Sequence, residues 1–173
     1  MKRKISLVLL LIFVCSSTMG FTSIPASQPL TQEQQKNITM GISSSMVDSL
    51  SSIIKDYKAY MNNEITAFSL INTSTTVDID IENLKMFVDY IDPKITIQEY
   101  RLLLDNNKNV IEGIRRLIKL SEDSYINDKV YLIEYTEIIK SFSNDYLPIS
   151  NFMTKTLTDE IKQLELKKQQ QNQ

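Results

Sequence analysis

The sequence predicts an all-α protein, an antiparallel bundle of four to five helices. Apolar residues recur every three to five positions over most of the chain, which is the period of one helix face. Glycine and proline are scarce, with three and four residues in the whole chain. A β-sandwich or barrel needs turn residues about every ten positions. The apolar repeat is too irregular for an extended coiled coil, so a globular bundle is favoured.

Residues 1–20 have the order of a secretory signal peptide. Three basic residues at 2–4 precede an apolar run at 5–15, and small or weakly polar residues follow as far as Gly20. The apolar run has 11 residues, whereas a helix that spans a bilayer needs about 20. A signal cleaved near Gly20, and hence a periplasmic or secreted protein, is therefore favoured.

Two alternatives to cleavage stay open. An uncleaved anchor could extend over residues 5–21, although that stretch includes hydroxyl side chains. Lipid could also be attached to Cys15, the single cysteine of the chain. Lipid attachment favours small residues just before the cysteine, and Phe13 and Val14 occupy those positions.

The rest of the chain is long enough for one domain. Pro25 and Pro29 indicate a linker at 21–30. We expect a helical domain at 31–166, because the 153 residues that follow the signal can bury a real core. The polar end of the chain, 167–173, is expected to be disordered.

The first predicted helix is the longest of the N-terminal segments and extends over about 32–71. Thr31 and Gln34 have the spacing of a capping box at its start. Gly41 weakens the helix locally, so a kink near this residue is possible. Because this helix is longer than the one that follows it, part of its apolar stripe is expected to lack an internal partner.

A shorter second helix is predicted at about 80–91. The residues before it, NTSTTV at 72–77, have the composition of a loop. Asp92 and Pro93 end the helix, because proline cannot continue the hydrogen-bond ladder and disfavours helical angles at the preceding residue.

A third helix is predicted at about 97–121, with Thr96 and Glu99 as a second capping box. A turn region follows. The last segment, about 128–167, keeps its apolar phase across Pro148. Either one helix kinks at this proline or two helices meet there.

Composition excludes several classes of site. The chain contains no histidine, so Ser–His and Cys–His catalysis and histidine metal ligation are impossible. Without the three basic residues at 2–4, 16 basic and 21 acidic residues remain, a net charge of −5. Such a chain lacks the basic patch of a nucleic-acid-binding protein. We expect no cofactor, no metal and no catalysis.

The densest acidic cluster is DIDIE at 78–82. Its spacing is similar to the start of a calcium loop, but Asn83 stands where that loop needs glycine for a sharp turn. These acids are therefore expected at the start of the second helix, where their negative charges interact favourably with the positive end of the helix dipole. Glu64, near the first apolar stripe, is a lone acid with no second carboxylate at a defined spacing.

The predicted function is that of an exported protein–protein interaction module. The partner would be another protein or a second copy; no nucleic acid and no membrane insertion of the mature chain are expected. One alternative is a helical bundle that binds a small apolar ligand or lipid, and another is a carboxylate-based enzyme. The candidate interaction surface lies on the first helix and consists of Met46, Leu50, Ile53, Tyr57, Tyr60 and Met61.

Overall fold

The computed structural model describes residues 29–171. A short 3-10 turn, Asp92–Lys94, separates the second and third of its helices. No strand occurs in the described residues, and the four helices pack against each other, which confirms the predicted all-α bundle. The helices are α1 (Gln32–Met61), α2 (Ala67–Ile91), α3 (Gln98–Asn127) and α4 (Leu132–Gln171).

Some of the sequence predictions lie outside this range. The predicted signal peptide at 1–20, the possible anchor and Cys15 are not among the described residues, and neither is most of the predicted linker. At the other end, the tail predicted as disordered at 167–173 is helical as far as Gln171.

The predicted capping box at the start of α1 is confirmed. The backbone N–H of Thr31 donates to Gln34 Oε1 at 2.9 Å, and the N–H of Gln34 donates to Thr31 Oγ1 at 3.2 Å. Two of the backbone donors that every helix leaves unpaired at its start are thereby satisfied. The helix then continues through Gly41 without a break.

The end of the first helix was predicted too late. α1 ends at Met61, and Asn63 adopts a left-handed backbone with φ 57°. Asparagine tolerates this conformation better than most residues, so it can end a helix. Thr66 then caps α2 by accepting a hydrogen bond from the N–H of Ser69 at 3.2 Å.

The loop predicted at 72–77 is wrong, because these residues form the middle of α2. Their hydroxyl groups bond back to carbonyls of the preceding turn: Ser74 Oγ donates to Leu70 O at 3.0 Å, and Thr75 Oγ1 donates to Ile71 O at 2.9 Å. Such bonds satisfy the hydroxyls within a helix. Ser74 and Val77 are buried, so packing outweighs the weak helix propensity.

The second predicted capping box is also wrong. The N-cap of α3 is Ile97, which makes no side-chain capping bond. Gln35 of α1 takes this part: its Oε1 accepts from the N–H groups of Thr96 at 2.9 Å and Ile97 at 3.0 Å. Its Nε2 donates to Thr96 Oγ1 at 3.1 Å. A buried side chain of another helix thus replaces a local cap.

α3 is longer than expected, and α4 begins and ends a few residues later than expected. α3 continues beyond Ser121, whose hydroxyl donates to Leu117 O at 2.9 Å, and ends where Asp128 turns left-handed with φ 46°. α4 is one helix that passes through Pro148. The proline lies on the exposed side of α4, where water can bond the carbonyl that loses its partner.

α3 packs extensively against α2 and α4 and also contacts α1, whereas α1 packs against α2 and α3 and touches α4 only sparsely. Between α3 and α4, the Phe142 ring covers Gly113 and leaves no room for a Cβ atom there. Large core side chains that are almost fully buried include Ile42, Met46, Ile53, Tyr57, Leu70, Ile81, Leu104, Ile114 and Ile149.

A buried polar contact helps to set the register of α1 against α3. Asn107 Nδ2 donates to Ser43 Oγ at 3.0 Å and to Leu103 O at 2.7 Å. Both Asn107 and Ser43 are fully buried. Because the buried Nδ2 donors cost free energy unless they are bonded, a slip of one helix along the other would be unfavourable.

Candidate interaction surfaces

The structure places most of the predicted interaction surface in the core. Five of its residues are buried, with exposed fractions between 0 and 8%: Met46, Leu50, Ile53, Tyr57 and Tyr60. Met61 is half-buried. The expectation that part of the α1 stripe lacks an internal partner does not hold for these five residues, because they are buried in the bundle.

The tyrosines of that set form a buried cluster at one end of the bundle. Tyr57 stacks on Tyr135 of α4, with ring centroids 4.9 Å apart, and meets the edge of Tyr60 at 6.2 Å. Tyr57 Oη lies 3.1 Å from Ser124 Oγ and accepts a hydrogen bond from the N–H of Tyr131 at 3.3 Å. The cluster ties α1 to the α3–α4 connection.

Burial in this cluster changes the acidity of two phenols. Burial raises the pKa of Tyr135 above its usual value, and the neighbouring phenol of Tyr57 raises it further. Burial, followed by the Asp128 carboxylate, raises the pKa of Tyr60. Both phenols are thus kept neutral, which is the behaviour of core aromatic residues.

Exposed apolar side chains lie instead on the outer face of α2. Phe68, Ile79, Met86 and Tyr90 have exposed fractions of 59 to 64%. At 100° per residue they fall within about 40° of one another around the helix axis. The other residues of this face are uncharged as well: Asn72, Thr75 and Asn83. This outer face, the α2 stripe, is apolar where a surface helix is usually charged.

A second exposed stripe lies on α4. Thr156 is the last buried residue, and every side chain from 157 to 170 is exposed. Leu157, Ile161 and Leu164 are spaced four and three residues apart, so they form one face of this segment, the α4 stripe. The segment is about 20 Å long.

An open apolar groove runs between α1 and α4, which touch only sparsely. Leu50 and Phe142 are buried at its base. Lys55 and Lys58 of α1 lie on its rim. The remaining apolar lining residues are Val47, Ile54, Ile139 and Tyr146.

The acidic residues singled out in the sequence lie on α2 and in the α1–α2 connection. DIDIE lies in the middle of α2 rather than at its start, so the expected role at a helix terminus is wrong. Glu82 instead pairs with Arg115 of α3, at 3.0 Å. Glu64 lies exposed in the α1–α2 connection and accepts from Asn62 Nδ2 at 3.2 Å.

A polar groove at the other end of the bundle brings more acids together. Glu33 of α1 lines it with Asp159 and Glu160 of α4, beside Lys36. The three carboxylates are exposed and therefore solvated. Between residues 29 and 171, no three carboxylate, histidine or cysteine side chains are arranged to hold a metal ion.

None of the helices between residues 29 and 171 carries an apolar segment of the length that a bilayer crossing requires.

Comparisons of the chain with protein-family models, with curated proteins and with solved structures found no match.

Sequence reasoning missed the α2 stripe because it followed the opposite side of the same helix. The buried residues Ile81, Val88 and Ile91 and the exposed residues Ile79, Met86 and Tyr90 both recur at helical spacing. A helix with two apolar faces was therefore readable from the sequence. The sequence does not show which of the two apolar sides packs against the core, because that depends on the neighbouring helices.

Proposed function

We propose that this protein is an exported helical bundle that binds a protein partner through the α4 stripe. The observation that supports the proposal is the stretch 157–170 of α4, in which every side chain is exposed although three large apolar residues share one face. Export is supported by the signal-like pattern of residues 1–20.

An isolated helical segment gains little from its own backbone hydrogen bonds, because most helical stability in proteins comes from packing an apolar face. In the described residues, the apolar face of Leu157, Ile161 and Leu164 has nothing packed over it. A partner that covers it would bury these side chains, each contributing about 1.5–3 kcal/mol if fully covered.

The spacing indicates how the partner would bind. Apolar anchors at i, i+4 and i+7 are those of a helix that lies in an apolar groove or against another helix. Glu160 and Glu165 flank the α4 stripe on its two sides, and Lys168 continues it. The partner is therefore a protein with an apolar groove or helix whose rim carries basic groups along its length and an acidic group at one end.

The chain offers a matched pair of variants to test this surface. Leu164 and Leu166 are both 58% exposed, but they lie about 200° apart around the helix. With Leu164→Lys, we expect loss of the partner that chemical crosslinking captures in the exporting cells. Leu166→Lys should retain it. Both variants should keep the thermal stability of the bundle, because the side chains are exposed.

Equal capture by the two variants would remove the support for the α4 stripe. Export has its own test, the intact mass of the protein from its native host. A mass that starts near Phe21, in the periplasm or medium, supports the proposal; a mass that includes residues 1–20 or lipid on Cys15 contradicts cleavage near Gly20.

A second candidate function, binding of an apolar ligand, is favoured by the α1–α4 groove. Its base is apolar, and the two lysines on its rim form no ion pair within the described residues. A fatty acid would place its chain along Ile54 and Phe142 and its carboxylate near Lys55. Organic extraction of the purified protein tests this, and an extract without lipid would argue against it.

A further inference from the structure

We propose that two copies of this chain associate through their α2 stripes, antiparallel, with Ile79 on the two-fold axis. The proposal concerns a surface different from the α4 stripe and a different occupant. It starts from an unusual distribution of side chains on α2. The buried side is apolar, as in any packed helix, but the outer side lacks the charged residues that are usual on a surface.

The buried side of α2 carries Leu70, Val77, Ile81 and Val88, all at most 3% exposed. The outer side lies directly opposite and has no charged residue between Phe68 and Tyr90. The charges of α2 lie on its flanks, and two of them form ion pairs within the chain. Glu82 pairs with Arg115 at 3.0 Å, and Lys85 pairs with Glu112 at 3.5 Å.

The exposed area is of the size that a dimer requires. Phe68, Ile79, Met86 and Tyr90 are 59 to 64% exposed. At about 200 Å² for a large side chain, this corresponds to roughly 500 Å² of apolar surface on each copy. Two copies would bury about 1,000 Å² in total, close to the lower bound for a specific interface.

The spacing of the α2 stripe is symmetric, which is why a second copy fits it. Phe68 and Tyr90 both lie 11 residues from Ile79, one on each side. In an antiparallel pair centred on Ile79, each Phe68 meets Tyr90 of the other copy, and the two Ile79 side chains meet each other. A two-fold interface must be self-complementary in this way.

Two of the three polar residues of the stripe obey the same symmetry, whereas Asn72 would face Met86 of the other copy. Thr75 and Asn83 lie four residues from Ile79 on opposite sides, so each would face the other residue type across the axis and could exchange hydrogen bonds with it. No like charges would be brought together along the centre of the interface. An uncharged face therefore suits a second copy of the same acidic chain better than it suits a strongly charged partner.

The mass of the purified protein in solution, measured by light scattering between 1 and 100 µM, tests the proposal. We expect a dimer for the natural sequence. Ile79→Lys would place two like charges at the axis and should weaken the dimer by at least about 30-fold, the effect of a hot-spot residue. Ile133→Lys, at an exposed position of α4, is the matched control and should leave the dimer intact.

A monomer at 100 µM for the natural sequence, or a dimer unchanged by Ile79→Lys, would overturn the proposal. Leu164→Lys should not alter the mass, which separates this result from the test of the α4 stripe. Binding of a different protein to α2, lost in Ile79→Lys, would also overturn it.

Cysteine crosslinking tests the antiparallel arrangement, in protein that carries Cys15→Ser. A chain with Phe68→Cys mixed with a chain with Tyr90→Cys should form a disulfide between the two. Phe68→Cys alone should not, because the two copies of residue 68 would lie about 33 Å apart along the helix pair. A disulfide between two residues 68 would mean a parallel pair and would overturn the proposed symmetry.

Discussion

Gln35, in the first turn of α1, caps the start of α3 by accepting a hydrogen bond from the backbone N–H of Thr96 at 2.9 Å. The two residues are 61 positions apart in the chain. Because the first N–H groups of a helix have no partner within that helix, this contact couples the start of α3 to the docking of α1.

Replacement of Gln35 by Leu should therefore destabilise the whole bundle. It removes the acceptor for the N–H groups of Thr96 and Ile97 and leaves them without a partner, at a cost of about 2–4 kcal/mol. Gln35→Glu keeps an acceptor oxygen, so it should cost less at neutral pH. Urea unfolding of both variants checks the difference; equal losses would mean that side-chain volume, not the cap, matters at this position.

The two helical glycines should respond to alanine with opposite signs. At Gly113 a Cβ atom would overlap the Phe142 ring, so Gly113→Ala should lower the free energy of unfolding by about 1–3 kcal/mol. At Gly41 nothing lies within 4 Å of an added Cβ, so Gly41→Ala should raise it by up to about 1 kcal/mol through better helix propensity. Thermal unfolding of both variants decides this, and a stabilised Gly113→Ala would show that α3 and α4 are farther apart.

The hydroxyl of Tyr57 should contribute to stability in addition to the packing of its ring. Tyr57→Phe keeps the stack on Tyr135 but removes the contact with Ser124 and the acceptor for the N–H of Tyr131. We expect a loss of about 1–3 kcal/mol. Tyr125→Phe, at an exposed position of α3, is the control and should be neutral. If both variants unfold at the same urea concentration, the hydroxyl contacts contribute nothing measurable.

The tyrosine cluster should make the protein sensitive to alkali. The pKa of Tyr135 is raised in the folded state, mainly by burial. The unfolded chain therefore loses its phenolic proton first, near pH 10, and stability decreases from there up to the raised folded pKa. The melting temperature between pH 8 and 11.5 should fall more steeply for the natural protein than for Tyr135→Phe; parallel curves would contradict this origin.

The helical period and the first capping box were readable from the sequence, because both depend on residues within a few positions of one another. The α1–α2 break at Asn63 was not, since the apolar phase continues across it to Ile65 and Phe68. The same limitation explains the loop wrongly predicted at 72–77. Serine and threonine hydroxyls can bond their own helix, and only packing decides between the two outcomes.

The interaction surface was harder to predict than the fold. The sequence shows which faces are apolar, but only the packed bundle shows which of them stay uncovered. The predicted surface residues of α1 are mostly buried, whereas the uncovered stripes are on α2 and α4. The cap of α3 by Gln35 was missed for the same reason, since it joins residues far apart in the chain.

The threonine-rich turn of α2 has a kinetic consequence. Residues 72–76, NTSTT, are weak helix formers, so this turn is held mainly by contacts on its inner side, such as the burial of Ser74. Its backbone amides should exchange their hydrogens with the solvent faster than those of α3, because local opening costs less there. Whatever covers the outer side of α2 would slow that exchange. The exchange rate of this turn therefore shows, without any label, whether the outer side of α2 is covered.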